Sequence, residues 1–155
     1  MKTIEEVIEI IERNIGFYSP MPVSDEMINK AETILNVKFP ESYKTFLRTF
    51  GAGSFGCEEI YGVIKDNFYL ESVPNVVWNT EKMRKDSDLS EQYIPIYYNG
   101  GELEFCLDTS QMDKGECPVV IISVGFPEEA IKEYNTFTDF LYYECVLWQL
   151  NIEED

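Results

Sequence analysis

The spacing of apolar residues first changes period after Gly51, and that change restricts the fold more than any other feature. Before it, apolar residues recur every three or four positions; after it, they alternate. Ile4, Val7, Ile8 and Ile11 repeat at helical intervals behind Thr3 and Glu6, a pair with capping-box spacing. Ser24 stands where a second helix needs a cap, with Met27, Ile28, Ala31 and Leu35 on one face. Phe39-Pro40 opens a third helix, because the first turn leaves unused the N–H that proline lacks. Tyr43, Phe46, Leu47 and Phe50 form its stripe, and Gly51 its stop. From "CEEIYG" onward, segments 57–61, 67–71, 94–98, 103–109 and 118–123 read as strands, with 130–134 as a short last one. Asn99-Gly100-Gly101 and "MDKGECP" are turn signals. One helix, 75–85, interrupts the strands and carries Trp78 and Arg84. Thr136 with Asp139 caps a final helix that places Phe137, Phe140, Leu141, Cys145 and Trp148 on one face.

Strands grouped together, with helices before and after, argue for α+β. The expectation is a single domain over residues 1–155. It has a helical part at 1–50, a sheet with one inserted helix at 57–134 and a C-terminal helix at 136–150. The sheet should be antiparallel, with about five or six strands and helices packed mainly on one face. Tyr43, Phe46, Trp78, Phe137 and Trp148 are assigned to the core, and Arg84 to internal pairing with acids.

A length of 155 residues, 45% of them hydrophobic, suffices for one full core and excludes disorder. Charge is the unusual quantity. Twelve Lys plus Arg against 29 Asp plus Glu, with no His, give −17. Such a balance repels nucleic acid and anionic membranes and attracts basic proteins. No apolar run approaches the roughly 20 residues of a membrane span. "MKTIEEVIEIIERN" carries acids within its apolar pattern, unlike a secretory leader, so the expected location is the cytoplasm. Cys57, Cys106, Cys117 and Cys145 are widely spread without a CxxC, which suits packed, reduced thiols rather than zinc ligands.

The stretch "GGELEFCLDT" puts Leu103, Phe105 and Leu107 on one side of a strand and Glu102, Glu104, Cys106 and Asp108 on the other. Neighbours on a face lie roughly 6.6–7 Å apart. Such a row of acids suits a catalytic pair, a metal cage, a solvated edge or a surface for a cationic partner. A Cys or Ser nucleophile usually needs a base, most often His, and there is none. The spacing of Glu102 and Glu104 is compatible with glycoside chemistry, but any acidic strand offers it. "GAGSFG" follows a helix rather than a strand, so Gly51 and Gly53 are read as a tight turn needing positive φ rather than a phosphate loop. Neither Glu58-Glu59 nor Asp108 with Asp113 has calcium-loop spacing. The expectation is therefore no enzyme, no cofactor and no metal. A binding face remains, formed by Glu58, Glu59, Glu102, Glu104 and Asp108. Exposed ion pairs contribute only about 0–1 kcal/mol each, so aromatic anchors are needed. Tyr61, Tyr97 and Tyr98 are the candidates, with Tyr69 behind them, although strand tyrosines often pack inward.

Three stretches in order resemble the SUKH superfamily (Smi/Knr-like), which includes immunity proteins and fungal cell-wall synthesis regulators. "AETILNVKFPESYKTFLRTFGAGSF" is similar to that family's helix–Leu-Pro–helix–Asn-Gly-Gly signature, with Phe39-Pro40 and Gly51-Ala52-Gly53 in the two motif positions. "EIYG", Glu59 to Gly62, matches its Leu-Tyr-Gly. "GGELEFCLDT" and "FTDFL" match its sheet core and last helix. The resemblance spans about residues 22–150 and looks nearest to the YobK-type immunity proteins of bacilli. It implies an α+β fold and an immunity protein that binds and neutralises a toxin domain, often a nuclease, through protein contact alone. A non-enzymatic adaptor binding a cellular protein is the alternative, as for the fungal relatives, with a small acidic-site hydrolase behind both. No nucleic-acid or membrane partner is expected, and monomer and homodimer stay equally open.

Overall fold

The computed structural model describes residues 1–13, 17–19, 21–55, 58–64, 68, 75–100, 103–123 and 126–147. Helix α1, Ile4–Glu12, starts with the expected capping box: the Thr3 hydroxyl accepts the Glu6 N–H at 3.2 Å, and the Glu6 carboxylate accepts the Thr3 N–H. Helix α2, Asp25–Leu35, is capped by Ser24 and ends at Asn36, whose φ of 58° is the left-handed stop. A buried carboxylate, Glu32, then accepts the Phe39 N–H at 2.7 Å and fixes the turn into the next helix.

Helix α3, Glu41–Phe50, has Pro40 at its cap position, a residue with no side-chain acceptor to offer. The acceptor comes from 74 residues away. The Glu116 carboxylate receives the Ser42 N–H at 3.0 Å and the Ser42 hydroxyl at 2.6 Å. Glu116 is aimed there by a two-residue turn in which Lys114 and Gly115 have φ of 53° and 82° and Asp113 and Glu116 exchange backbone hydrogen bonds.

Seven strands form one sheet in strictly sequential order, each antiparallel to the next. They are β1 Phe17–Tyr18, β2 Gly53–Phe55, β3 Glu58–Ile60, β4 Tyr93–Tyr98, β5 Leu103–Asp108, β6 Val119–Ser123 and β7 Phe126–Tyr134. Helix α4, Val76–Asp86, enters between β3 and β4, and α5, Phe137–Asp139, follows β7. The α+β class with an antiparallel sheet stands as expected. Two-residue β1 extends the sheet at one edge, and β7 begins four residues earlier than expected. Of the expected strand 67–71 only Phe68 is described, in a turn. Gly53 opens β2 with no positive φ; Gly51 alone takes that role, at 78°. A Cβ on Gly62 would lie 1.8 Å from the Gly51 carbonyl oxygen, so these two glycines let the α3–β2 corner and the end of β3 pack backbone to backbone.

The last helix departs from an α-helix after one turn and runs as a π-helix over Phe140–Val146. Its wider i→i+5 turns bring Tyr142 and Val146 into the core beside Phe140, Leu141 and Cys145. Glu144 stays at the edge, accepting the Tyr134 hydroxyl at 3.0 Å. Trp148 lies outside the described residues.

The main core joins α1, α2, α3 and this last helix to one face of the sheet, with Tyr43, Phe46 and Phe137 buried at its centre. Their rings pack edge to face or stacked, Tyr43 and Phe137 at 5.0 Å between centroids. A smaller cluster lies apart from it: Leu89, Tyr93, Cys106, Val120 and Ile122, with Met83 against them. Val76 and Val77 of α4 belong to the main core and Met83 to the small cluster, so α4 serves both. Trp78 is only half-buried.

Candidate functional site

The alternation of β5 has the expected phase but not the expected exposure. Phe105 and Leu107 join the main core. On the other side, Glu104, Cys106 and Asp108 are 8%, 0% and 4% exposed. This corrects the reading of these acids as one solvated row: Cys106 packs with Leu89 and Tyr93, from the connection after α4 and the start of β4. Asp108 is occupied locally. Its carboxylate accepts the Ser110 N–H at 3.1 Å, the Ser110 hydroxyl at 2.6 Å and the Gln111 amide at 2.6 Å, capping the short 3₁₀ turn Thr109–Gln111. It therefore acts as a structural cap and offers no open contact surface.

The tyrosines divide in the same way. Tyr97 is 3% exposed, with its ring 5.4 Å from Phe105 and 5.6 Å from Phe140, and is a core residue. Counting by two from Ile94 puts Tyr98 inside and Tyr97 outside. A bulge between Pro95 and Tyr97 reverses that, because proline brings no N–H to the ladder and the register slips by one. Tyr98 is consequently exposed, directly opposite Glu104. Tyr61 is buried; its carbonyl accepts the Tyr43 hydroxyl at 2.7 Å and its N–H donates to the Ile96 carbonyl at 2.8 Å. Glu59, paired with Ser54, is exposed. Glu58 lies in β3, and Glu102 and Tyr69 fall outside the described residues.

What these positions bring together is a group of acids and phenols at the β3–β4–β5 junction. The Tyr61 hydroxyl feels Glu104, Glu59, Cys106 and Tyr98, all of which help burial hold its proton well above the ordinary phenol range. Burial pushes Glu104 up from 4.5 to about 7, and its Oε2 has no hydrogen-bond partner. Burial, then Glu104 and Asp108, raises the Cys106 thiol well above its usual value, and burial pushes Cys117 up to about 12. Both thiols stay protonated at neutral pH, and Cys145 is also buried; such groups make poor nucleophiles. Cys57 lies outside the described residues.

Few cations offset the acids. Arg13, Lys30, Lys44, Arg48 and Lys82 each pair with a carboxylate, Arg48 with Asp25 at 2.6 Å and Lys44 with Glu32 and Glu41 at 3.5 Å. Arg84 is half-buried and donates to the Glu91 backbone carbonyl at 2.7 Å, in place of the carboxylate partner expected for it. Among the described residues no group of three His, Cys, Asp or Glu could hold a metal ion, and no helix is long and apolar enough to cross a membrane.

A sequential antiparallel meander roofed by helices, with a partly buried acid–phenol group at the β3–β4–β5 junction, makes this an α+β domain. Residues 4–148 match the SUKH_5 model, described as SMI1-KNR4 cell-wall, and the chain belongs to that family. In three dimensions it is similar to the crystal structure of a protein from Pseudomonas syringae pv. tomato, with a TM-score of 0.65 and 22% identity. That match covers 96% of this chain and 99% of the other, and it shows a shared fold.

Proposed function

We propose that this chain is an immunity protein that binds and neutralises a cognate toxin domain, a basic nuclease, inside the cell that produces it. It acts by occupation rather than by catalysis. The observation that carries the reading is membership of the SUKH family in a chain of 29 acids against 12 bases, five of which are already paired with carboxylates of the same chain. A nuclease presents Lys and Arg to phosphates, and carboxylates held at that surface compete for the same groups. Complementary charge also raises association rates from about 10⁵–10⁶ to as much as about 10⁸ M⁻¹s⁻¹ at low salt. Exposed Glu59 and Tyr98 are the contact residues proposed first, as a steering charge and an aromatic anchor. Glu58 and Glu102 stay in the proposed set by their place in the sequence.

The test is co-expression with the toxin domain encoded beside this gene, followed by co-purification across a salt series. Complex formation that weakens with salt, and association slowed about tenfold by Glu59→Lys, support the reading. Full protection by a Glu59→Lys, Tyr98→Ala variant at matched expression removes this contact assignment. Recovery of housekeeping proteins alone favours the adaptor alternative.

A further inference from the structure

An ionisable oxygen shut away from water ordinarily has a donor, since an unpaired one costs far more than an exposed one. Glu104 does not meet that expectation. It is 8% exposed, its Oε2 receives no hydrogen bond, and its raised proton affinity comes from burial alone. Among the described residues, the groups acting on the nearby Tyr61 hydroxyl are acids, a thiol and a phenol. Two of these groups reach the surface. Tyr98, opposite Glu104 across the β4–β5 ladder, is 39% exposed, and Glu59 is exposed on β3. The arrangement is an inner carboxylate with one oxygen unpartnered, a second carboxylate at the rim, and two phenol rings beside them.

We propose that Glu104, Glu59, Tyr61 and Tyr98 form a subsite that receives one arginine side chain of the protein partner. A guanidinium suits this site better than other cations. Its planar fork donates to two carboxylates at once, it is weakly hydrated and so enters a partly dry site at lower cost, and its face stacks on aromatic rings. An ammonium is a strongly hydrated point charge without that stacking face. The inference rests on the reading of the chain as a protein-binding module and specifies the chemistry of that same face.

The experiment uses the full chain with carboxyl-labelled glutamate. The Glu104 titration is followed by NMR with and without millimolar acetyl-Gly-Arg-Gly-amide, and then with acetyl-Gly-Lys-Gly-amide. The arginine peptide is expected to lower the Glu104 midpoint by about one pH unit or more. It should shift the Tyr61 and Tyr98 ring signals, and it should do so at severalfold lower concentration than the lysine peptide. Glu104→Gln should lose the ring response. An unchanged midpoint, or the same ring shifts in Glu104→Gln, overturns the subsite. Because the probe is a peptide, absence of a toxin partner leaves the result standing. Toxin protection without any peptide response removes the arginine subsite alone.

Discussion

Replacing Glu104 by Gln separates the cost of a buried charge from the cost of a buried shape. The side chain keeps its size but no longer ionises. In the folded chain Glu104 holds its proton up to about pH 7, against 4.5 for the group in water. A raised folded value means that the native state binds the proton more tightly than the unfolded chain. The contribution to stability is therefore full below about pH 4.5, declines as pH rises toward 7, and is constant above. At about 1.4 kcal/mol per pH unit, the ionised form costs the fold about 3 kcal/mol. Urea denaturation of both proteins near pH 5 and near pH 8 reads this directly. The amide adds an offset of its own that does not depend on pH, so the informative quantity is the change in the gap between the two proteins. That gap is expected to move in favour of Glu104→Gln by about 2 kcal/mol from the lower to the higher pH. A constant gap would mean that the carboxylate finds water or a donor when ionised, and the argument from its burial would fail.

Two further outcomes follow from packing. Gly62→Ala should cost about 3 kcal/mol in thermal or urea melts, because its Cβ meets the Gly51 carbonyl at 1.8 Å; Gly100→Ala, with open space around it but φ of 86°, should cost about 1 kcal/mol. Tyr97→Ala should cost about 3–5 kcal/mol and Tyr98→Ala about 1 kcal/mol or less, and equal losses would show that the β4 bulge is misplaced.

Residues that act through local periodicity were legible before any coordinates. Thr3, Ser24, Gly51 and Thr136 sit at helix ends because capping is a matter of one side chain or one φ value, and the run from Leu103 to Leu107 kept its phase because a strand repeats every two residues. Burial of Glu104 was not legible, since no property of "GELEFCLD" separates it from a solvated acid, whereas the packing expected of the cysteines holds for Cys106, which lies among Leu89, Tyr93, Val120 and Ile122. Tyr97 and Tyr98 were both named as anchors, and the cue that separates them, Pro95 within β4 as a sign of an irregular ladder, lies in the sequence. The π-helical form of the last helix left no trace in its apolar spacing, since Phe137, Phe140, Leu141 and Cys145 satisfy an α-helix equally well.

Glu116 ties the start of α3 to a hairpin that the ribosome delivers more than seventy residues later. During synthesis that helix emerges with its first amide groups bare, and Pro40 supplies no substitute. Its leading turn gains these two hydrogen bonds only once the β5–β6 corner has been made, so one carboxylate joins an early helix to a later hairpin.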